Sequence, residues 1–177
     1  MFDLLEATVS STYGARSWDD LLETTGLAGV YTSLGNYPDE ELVALIGALA
    51  GRTGQTDQAA LRWFGRSAMP MLAAAYPEFF VGQDDIRTFV VALNDIIHPE
   101  VRKLYPGADV PTFGIGRSTP DSVVLRYGSP RRMCALAEGL IEGAAAQFGQ
   151  HVTIAQTDCM LRNDELCTIE VHVDDRD

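Results

Sequence analysis

The strongest constraint on the fold is a change of apolar period at Pro111. From Phe2 to about Tyr105 the apolar residues recur at helical spacing, in segments broken by short Gly, Pro and Asn clusters such as LGNYPDE. Phe2, Leu5 and Val9 share one face, Ser17 is placed to cap SWDDLLETTG, and Pro38 or Asp39 to begin DEELVALIGALAG. TDQAALRWFGRSAMPMLAAAYPEFF follows, with expected interruptions at Gly65 and Pro70. Beyond Pro111, TFGIGRS and SVVLRYGS flank the turn TPD, and VTIAQTDCML and ELCTIEVHV flank RND, so each pair reads as a hairpin. Between the hairpins, Met133, Leu136, Ala137, Leu140, Ile141, Ala144 and Phe148 form one amphipathic helical stripe. The expectation is an α+β chain: a helical N-terminal lobe followed by ββαββ with a four-stranded antiparallel sheet.

Charge and length bound the function. Thirteen Lys and Arg against 25 Asp and Glu give a net charge of −12, which argues against nucleic acid and anionic membranes as partners. With 46% hydrophobic residues in 177, the chain can bury one substantial core. The N-terminus MFDLLEATVSSTYG has acids where a signal peptide needs basic residues, and no apolar run reaches membrane-span length, so a cytoplasmic location is expected. No Ser-His-Asp order, phosphate loop or acid-base pair of carboxylates points to an enzyme.

His98, one of three histidines, ends the apolar run LNDIIHPEV. If Asp84 or Asp85 caps this helix, Ile86, Phe89, Val90, Leu93, Ile96 and Ile97 form its core stripe, with His98 on the flank shared by Val91 and Asn94. Pro99 disfavours α conformation at residue 98, so the helix is expected to stop there. By itself His98 suits either a cation at a helix C-terminus or a metal ligand, whose second ring nitrogen is held by a spare carbonyl.

The stretch YGSPRR stands where a strand gives way to a helix expected to begin near Arg131. In extended chain Tyr127, Ser129 and Arg131 point the same way and present two hydroxyls and a guanidinium, a set suited to carboxylate or phosphate. A helix N-terminus at Arg131 would add to that preference. A strand-end Tyr, a capping Ser and a surface Arg would read the same way.

Together, Tyr-x-Ser-x-Arg after a helix-borne histidine resembles the haem-nitric oxide/oxygen binding (H-NOX, HNOB) family, standalone bacterial type, over nearly the whole chain. YPDEE and RWFGR resemble family segments too. The resemblance implies one domain over residues 1–177, with about 1–60 as the distal lobe, about 61–177 as the proximal lobe, and haem b between them. It makes His98 the proximal iron ligand, gives Tyr127, Ser129 and Arg131 to the haem propionates, and matches Pro111, 13 residues after the histidine, to a proline that presses on the porphyrin. Phe2, Leu5, Val9, Met71, Phe79, Leu136 and Leu140 suit the apolar walls. Leu136, nine residues after Tyr127, matches the distal tyrosine of oxygen-binding members, while Val9 and Pro70 replace its supporting residues; Tyr13 is the tyrosine that could still reach the pocket. The implied function is a sensor that binds nitric oxide and carbon monoxide at ferrous haem, discriminates against oxygen, and signals by release of the proximal histidine. The implied output is a separate protein such as a histidine kinase or a cyclic-di-GMP enzyme.

Cys159 and Cys167 flank MLRNDEL, a turn at Asn163 would set them opposite each other, and Cys134 starts the preceding helix. Convergent thiols in a cytosolic chain suit zinc better than a structural disulfide, although ordinary buried cysteines also fit. Some family members bind zinc with three cysteines and a histidine here. Gln156 stands at the histidine's position, leaving His151, Asp158 or His172 as substitutes. A cysteine- or zinc-based redox sensor and a haem or apolar-ligand carrier are the alternative functions.

Overall fold

The computed structural model describes residues 1–32, 35–105 and 108–174; Leu34, which opens the LGNYPDE break, lies outside them. Helices α1 (Phe2–Tyr13), α2 (Arg16–Thr25), α3 (Asp39–Thr53) and α4 (Asp57–Ala75) are followed by α5 (Ile86–Ala92), a π-helical segment (Leu93–Ile97) and α6 (His98–Leu104). Strands β1 (Thr112–Thr119) and β2 (Ser122–Gly128), helix α7 (Cys134–Gln147) and strands β3 (Val152–Asp158) and β4 (Cys167–Val173) complete the chain. The sheet has the order β1-β2-β4-β3 with every neighbouring pair antiparallel, so both expected hairpins form and join through β2 and β4. The α+β class and the ββαββ order are those read from the period. Among the described residues no helix is long and apolar enough to cross a membrane.

Two apolar clusters form the core. One gathers Phe2, Leu5, Val9, Trp18, Leu45 and Phe64 from the first four helices; the other lies between the sheet and α5 and α7, with Ile86, Val90, Leu125, Ile141 and Ile169. Helices α4 and α7 feed both, and Leu140 packs against both. Their contact is made by glycine. A Cβ on Gly139 would lie 2.0 Å from the Arg62 carbonyl oxygen, and one on Gly65 would lie 2.5 Å from that of Leu136. Backbone therefore meets backbone, closer than any larger residue permits.

Several local expectations change in this packing. α4 runs unbroken through Gly65 and Pro70, because the glycine serves the crossing and Pro70 sits on the exposed side. Ser17 lies inside α2 and donates its hydroxyl to the Tyr13 carbonyl at 2.8 Å, so it does not cap. α7 begins at Cys134 rather than Arg131, because Arg132 takes a left-handed φ of 50° that no helix accommodates. Nor is α7 a one-sided stripe: Cys134 to Gly139 are all buried, with α4 on one side and the sheet on the other. Its one buried acid there, Glu138, is paired with Arg62 at 3.0 Å.

Replacing Gly139 with Ala is expected to lower the unfolding free energy by about 1–3 kcal/mol through overpacking against backbone. Gly47→Ala in α3, where an added Cβ meets nothing within 4 Å, is expected to raise it by roughly 0.5–1 kcal/mol. Urea denaturation of the two variants checks this, and equal losses at both positions contradict the crossing.

Candidate functional site

The histidine helix is built with a deliberate register change. Asp85 caps it by accepting the Thr88 N–H at 2.8 Å, and Thr88 Oγ1 returns the bond by accepting the Asp85 N–H at 3.2 Å. At Leu93 the helix widens into the π segment, where the His98 N–H donates to the Leu93 carbonyl. The expected stop at His98 does not occur: the residue is α-helical at φ −65°, ψ −36°, and α6 continues to Leu104. Proline lacks an N–H and crowds the carbonyl four residues back, and the extra residue of a π turn relieves both demands. The same insertion rotates the helix face, leaving Ile96 53% exposed while Ile97 enters the core.

His98 is half-buried, with its ring 5.8 Å from that of Phe113. Its Nδ1 is buried without a hydrogen-bond partner. Burial pushes its pKa down to about 4, the Arg102 guanidinium acts in the same direction, and the Pro111 carbonyl opposes them. At neutral pH the imidazole is therefore uncharged and keeps a free lone pair. Pro111 is half-buried immediately before β1. The Asn94 side chain engages both backbone groups of Phe113: its Nδ2 donates to the Phe113 carbonyl, and its Oδ1 accepts the Phe113 N–H at 3.1 Å.

Phe113 also lies edge-on to Tyr127, ring centres 5.5 Å apart, so a single aromatic residue joins the histidine to the YGSPRR stretch. Tyr127 and Ser129 are both buried. Burial pushes the Tyr127 hydroxyl pKa up, and its bond with Ser129 opposes this. Ser129 Oγ accepts the Arg131 N–H at 3.2 Å. The Arg131 guanidinium is gripped in two places by Asp39 at the start of α3, through Nε to Oδ2 at 2.8 Å and Nη2 to Oδ1 at 2.6 Å. The stretch thus brings hydroxyls and a guanidinium together without the helix N-terminus expected at Arg131, since α7 begins at Cys134. Sequence reasoning passed over Phe113 and Asp39. The only signals were an aromatic residue on one strand face and an acid opening a helix, both of which ordinary packing and capping explain.

Leu5, Val9 and Leu136 are brought together in the N-terminal cluster with Phe2, and Leu140 bridges to the second cluster, where Phe79 packs. Met71 is half-buried late in α4 and belongs to neither cluster. Tyr13 is 39% exposed and leans on Trp63. Tyr31 and Tyr37 border the first cluster, but their hydroxyls serve Glu41 and the Thr32 N–H.

The three cysteines converge. The sulfurs of Cys134, Cys159 and Cys167 lie within 4.8 Å of one another and all three residues are buried. Asn163 makes the tight return with a φ of 70°, Asp164 accepts the Cys159 N–H at 2.7 Å, and the Met160 N–H points to Cys167 Sγ at 3.2 Å. Burial pushes the Cys134 and Cys167 thiol pKa values up. Among the described residues His151, Asp158 and His172 do not join the cluster. Both histidines are exposed at the far end of the sheet, where Thr153 pairs with His172.

A model of the haem-NO-binding family matches residues 1–156. An H-NOX protein from S. oneidensis, solved in its Fe(II)NO state, superposes with a TM-score of 0.91 at 31% identity, covering 98% of this chain and 97% of that one. The H-NOX domain from Shewanella oneidensis in its Fe(II)CO state gives 0.89 at 31% identity over 99% and 97%. An unliganded Fe(II) H-NOX protein from K. algicida gives 0.88 at 24% identity over 99% and 95%, a likeness of fold. None of the curated proteins matches the sequence.

The lowered pKa of His98 carries a pH dependence in the chain without bound ligand. The unfolded histidine takes up its proton near 6.5 and the folded one near 4. Stability is therefore fully present above about pH 6.5 and falls as pH drops toward 4. Unfolding midpoints measured across this range are expected to fall less steeply in His98→Gln; parallel curves contradict the assignment.

Proposed function

Because this chain belongs to the haem-NO-binding family, we propose that it is a haem-based gas sensor of the cytoplasm, not an enzyme. It binds nitric oxide and carbon monoxide, discriminates against oxygen, and signals to a separate protein such as a histidine kinase or a cyclic-di-GMP enzyme. The observation that carries this reading is the joining of His98 to Tyr127, Ser129 and Arg131 through Phe113. The residues fit haem b. A neutral histidine with an unpartnered buried nitrogen suits an axial donor, and the Arg131 fork already holds a carboxylate, that of Asp39. When bound, haem supplies a ferrous iron for the gas and two propionates at its edge.

In this reading His98 would hold the iron, and Tyr127, Ser129 and Arg131 would hold the propionates, Arg131 through the fork that now grips Asp39. Pro111, Leu5, Val9, Met71, Leu136 and Leu140 surround the ring, between a distal lobe of about 1–60 and a proximal lobe of about 61–177. Discrimination against oxygen follows from the distal side. Leu136 and Val9 carry no hydrogen-bond donor, and the hydroxyls of Tyr31 and Tyr37 are engaged elsewhere, so this wall would give bound oxygen no polar support. Signalling follows from the proximal side. His98 directly succeeds the π segment, whose irregular turn would absorb a shift of that residue. Asn94 in that segment is bonded to the Phe113 backbone, so such a shift is handed to β1.

The cysteine cluster supports a second bound group, zinc, because three soft donors converge in one buried place.

Absorption spectra of the reduced, haem-loaded protein are expected to shift with nitric oxide and carbon monoxide and to remain unchanged in air. His98→Ala is expected to lose or alter the haem band. A protein that stays colourless after haem reconstitution defeats the reading. Leu136→Tyr, which adds a donor on the distal side, is expected to gain oxygen affinity in the same assay, by about tenfold for one well-placed hydrogen bond.

A further inference from the structure

The cysteine cluster lies at the wall of a cavity of about 400 Å³, and Cys134 and Cys159 both line it. Gln156, Glu138, Leu161 and two cations, Arg62 and Arg162, complete its lining together with Gln58 and two alanines. Three sulfurs within 4.8 Å satisfy three corners of a tetrahedron. No fourth histidine, cysteine or carboxylate joins them among the described residues. The buried polar group beside them is the Gln156 amide, whose Nε2 has no hydrogen-bond partner. An amide carbonyl is a hard donor and a poor match for zinc already bound to thiolates, whereas an unpartnered N–H suits a thiolate sulfur as a second-layer donor.

We propose that the cluster holds zinc through Cys134, Cys159 and Cys167 and leaves the fourth position open to the cavity, where a small thiolate from solution completes the tetrahedron. This rests on the zinc reading of the cluster. Three thiolates around zinc carry a net charge of −1, and a fourth brings −2; of the two guanidinium groups lining the cavity, Arg62 is already paired with Glu138 and Glu142, while Arg162 donates to the Thr157 carbonyl at 2.8 Å and is the cation left to offset that charge. The exchange is a ligand substitution: the zinc-bound water leaves, the incoming thiol gives its proton to solvent, and no electron moves. Gln156 positions the Cys134 sulfur and is not itself a ligand.

The test uses the full chain with zinc replaced by cobalt(II). One metal per chain is expected, and 2-mercaptoethanol or glutathione is expected to shift the cobalt bands saturably. A response to both identifies small thiolates in general; a response to 2-mercaptoethanol alone limits the site to ligands that fit the cavity. Gln156→His, whose imidazole can fill the open corner, is expected to keep the metal and weaken the response by about tenfold or more. Gln156→Ala, which removes the donor to the Cys134 sulfur but no ligand, is expected to bind the metal about tenfold more weakly and to keep the thiol response, with far-UV circular dichroism confirming that each variant folds. A metal-loaded chain whose bands ignore both thiols overturns the open position alone, and the wild-type titration decides this even if a variant misfolds. A chain that binds no metal overturns the zinc reading and this inference with it, while leaving the haem reading standing.

Discussion

The close approach of α4 and α7 is the constraint on which the rest of the structure depends. Glycine at 65 and 139 lets the two backbones touch, so α7 can lie against α4 with one side and against the sheet with the other. That double burial turns the helix into the partition between two apolar clusters, with Leu140 at the seam. It also dictates the electrostatics of the crossing. Glu138 would be costly to bury as a free charge, and Arg62 reaches across to both it and Glu142. Because Cys134 opens α7 on the side of the sheet, the same packing brings it to Cys159, just after β3, and Cys167, which begins β4.

Around this partition, the histidine helix is held by polar bonds as much as by apolar contact. Its start is capped by Asp85 and tied to the segment after α7, where Gln150 Oε1 accepts the Ile86 N–H at 2.8 Å. Its middle is tied to β1 by Asn94. Between those anchors sits the π segment, a stretch that trades regular bonding for a shifted register. An imidazole placed immediately beyond it is fixed in position by its neighbours yet attached to the least regular part of its own helix. Burial, with Arg102 nearby, keeps that imidazole neutral.

Arg131 joins the two ends of the chain in another way. Its guanidinium belongs to the link between β2 and α7, and its partner Asp39 opens α3 in the helical lobe. The pair is bidentate, with the guanidinium largely shielded and the carboxylate 44% exposed, so water already competes for the acid. A fork of this kind can exchange one carboxylate for another with little change in geometry.

Sequence by itself determined the class and order of the elements, because apolar periodicity is local: each helix and strand announces its buried face within a few residues. It also exposed His98, the Tyr127-Ser129-Arg131 series and the three cysteines, since these are rare residue types at telling intervals. It could not supply Phe113, Asp39 or Asn94, whose importance comes from partners 14 to 92 residues away. Nor could it tell that Pro99 would be absorbed rather than end a helix, because that depended on a register change inside the helix. Gly65 looked like an interruption, and Gly139 gave no signal at all, until another backbone was laid against each. Tertiary structure decided these points because a contact between distant residues leaves no periodic trace along the chain.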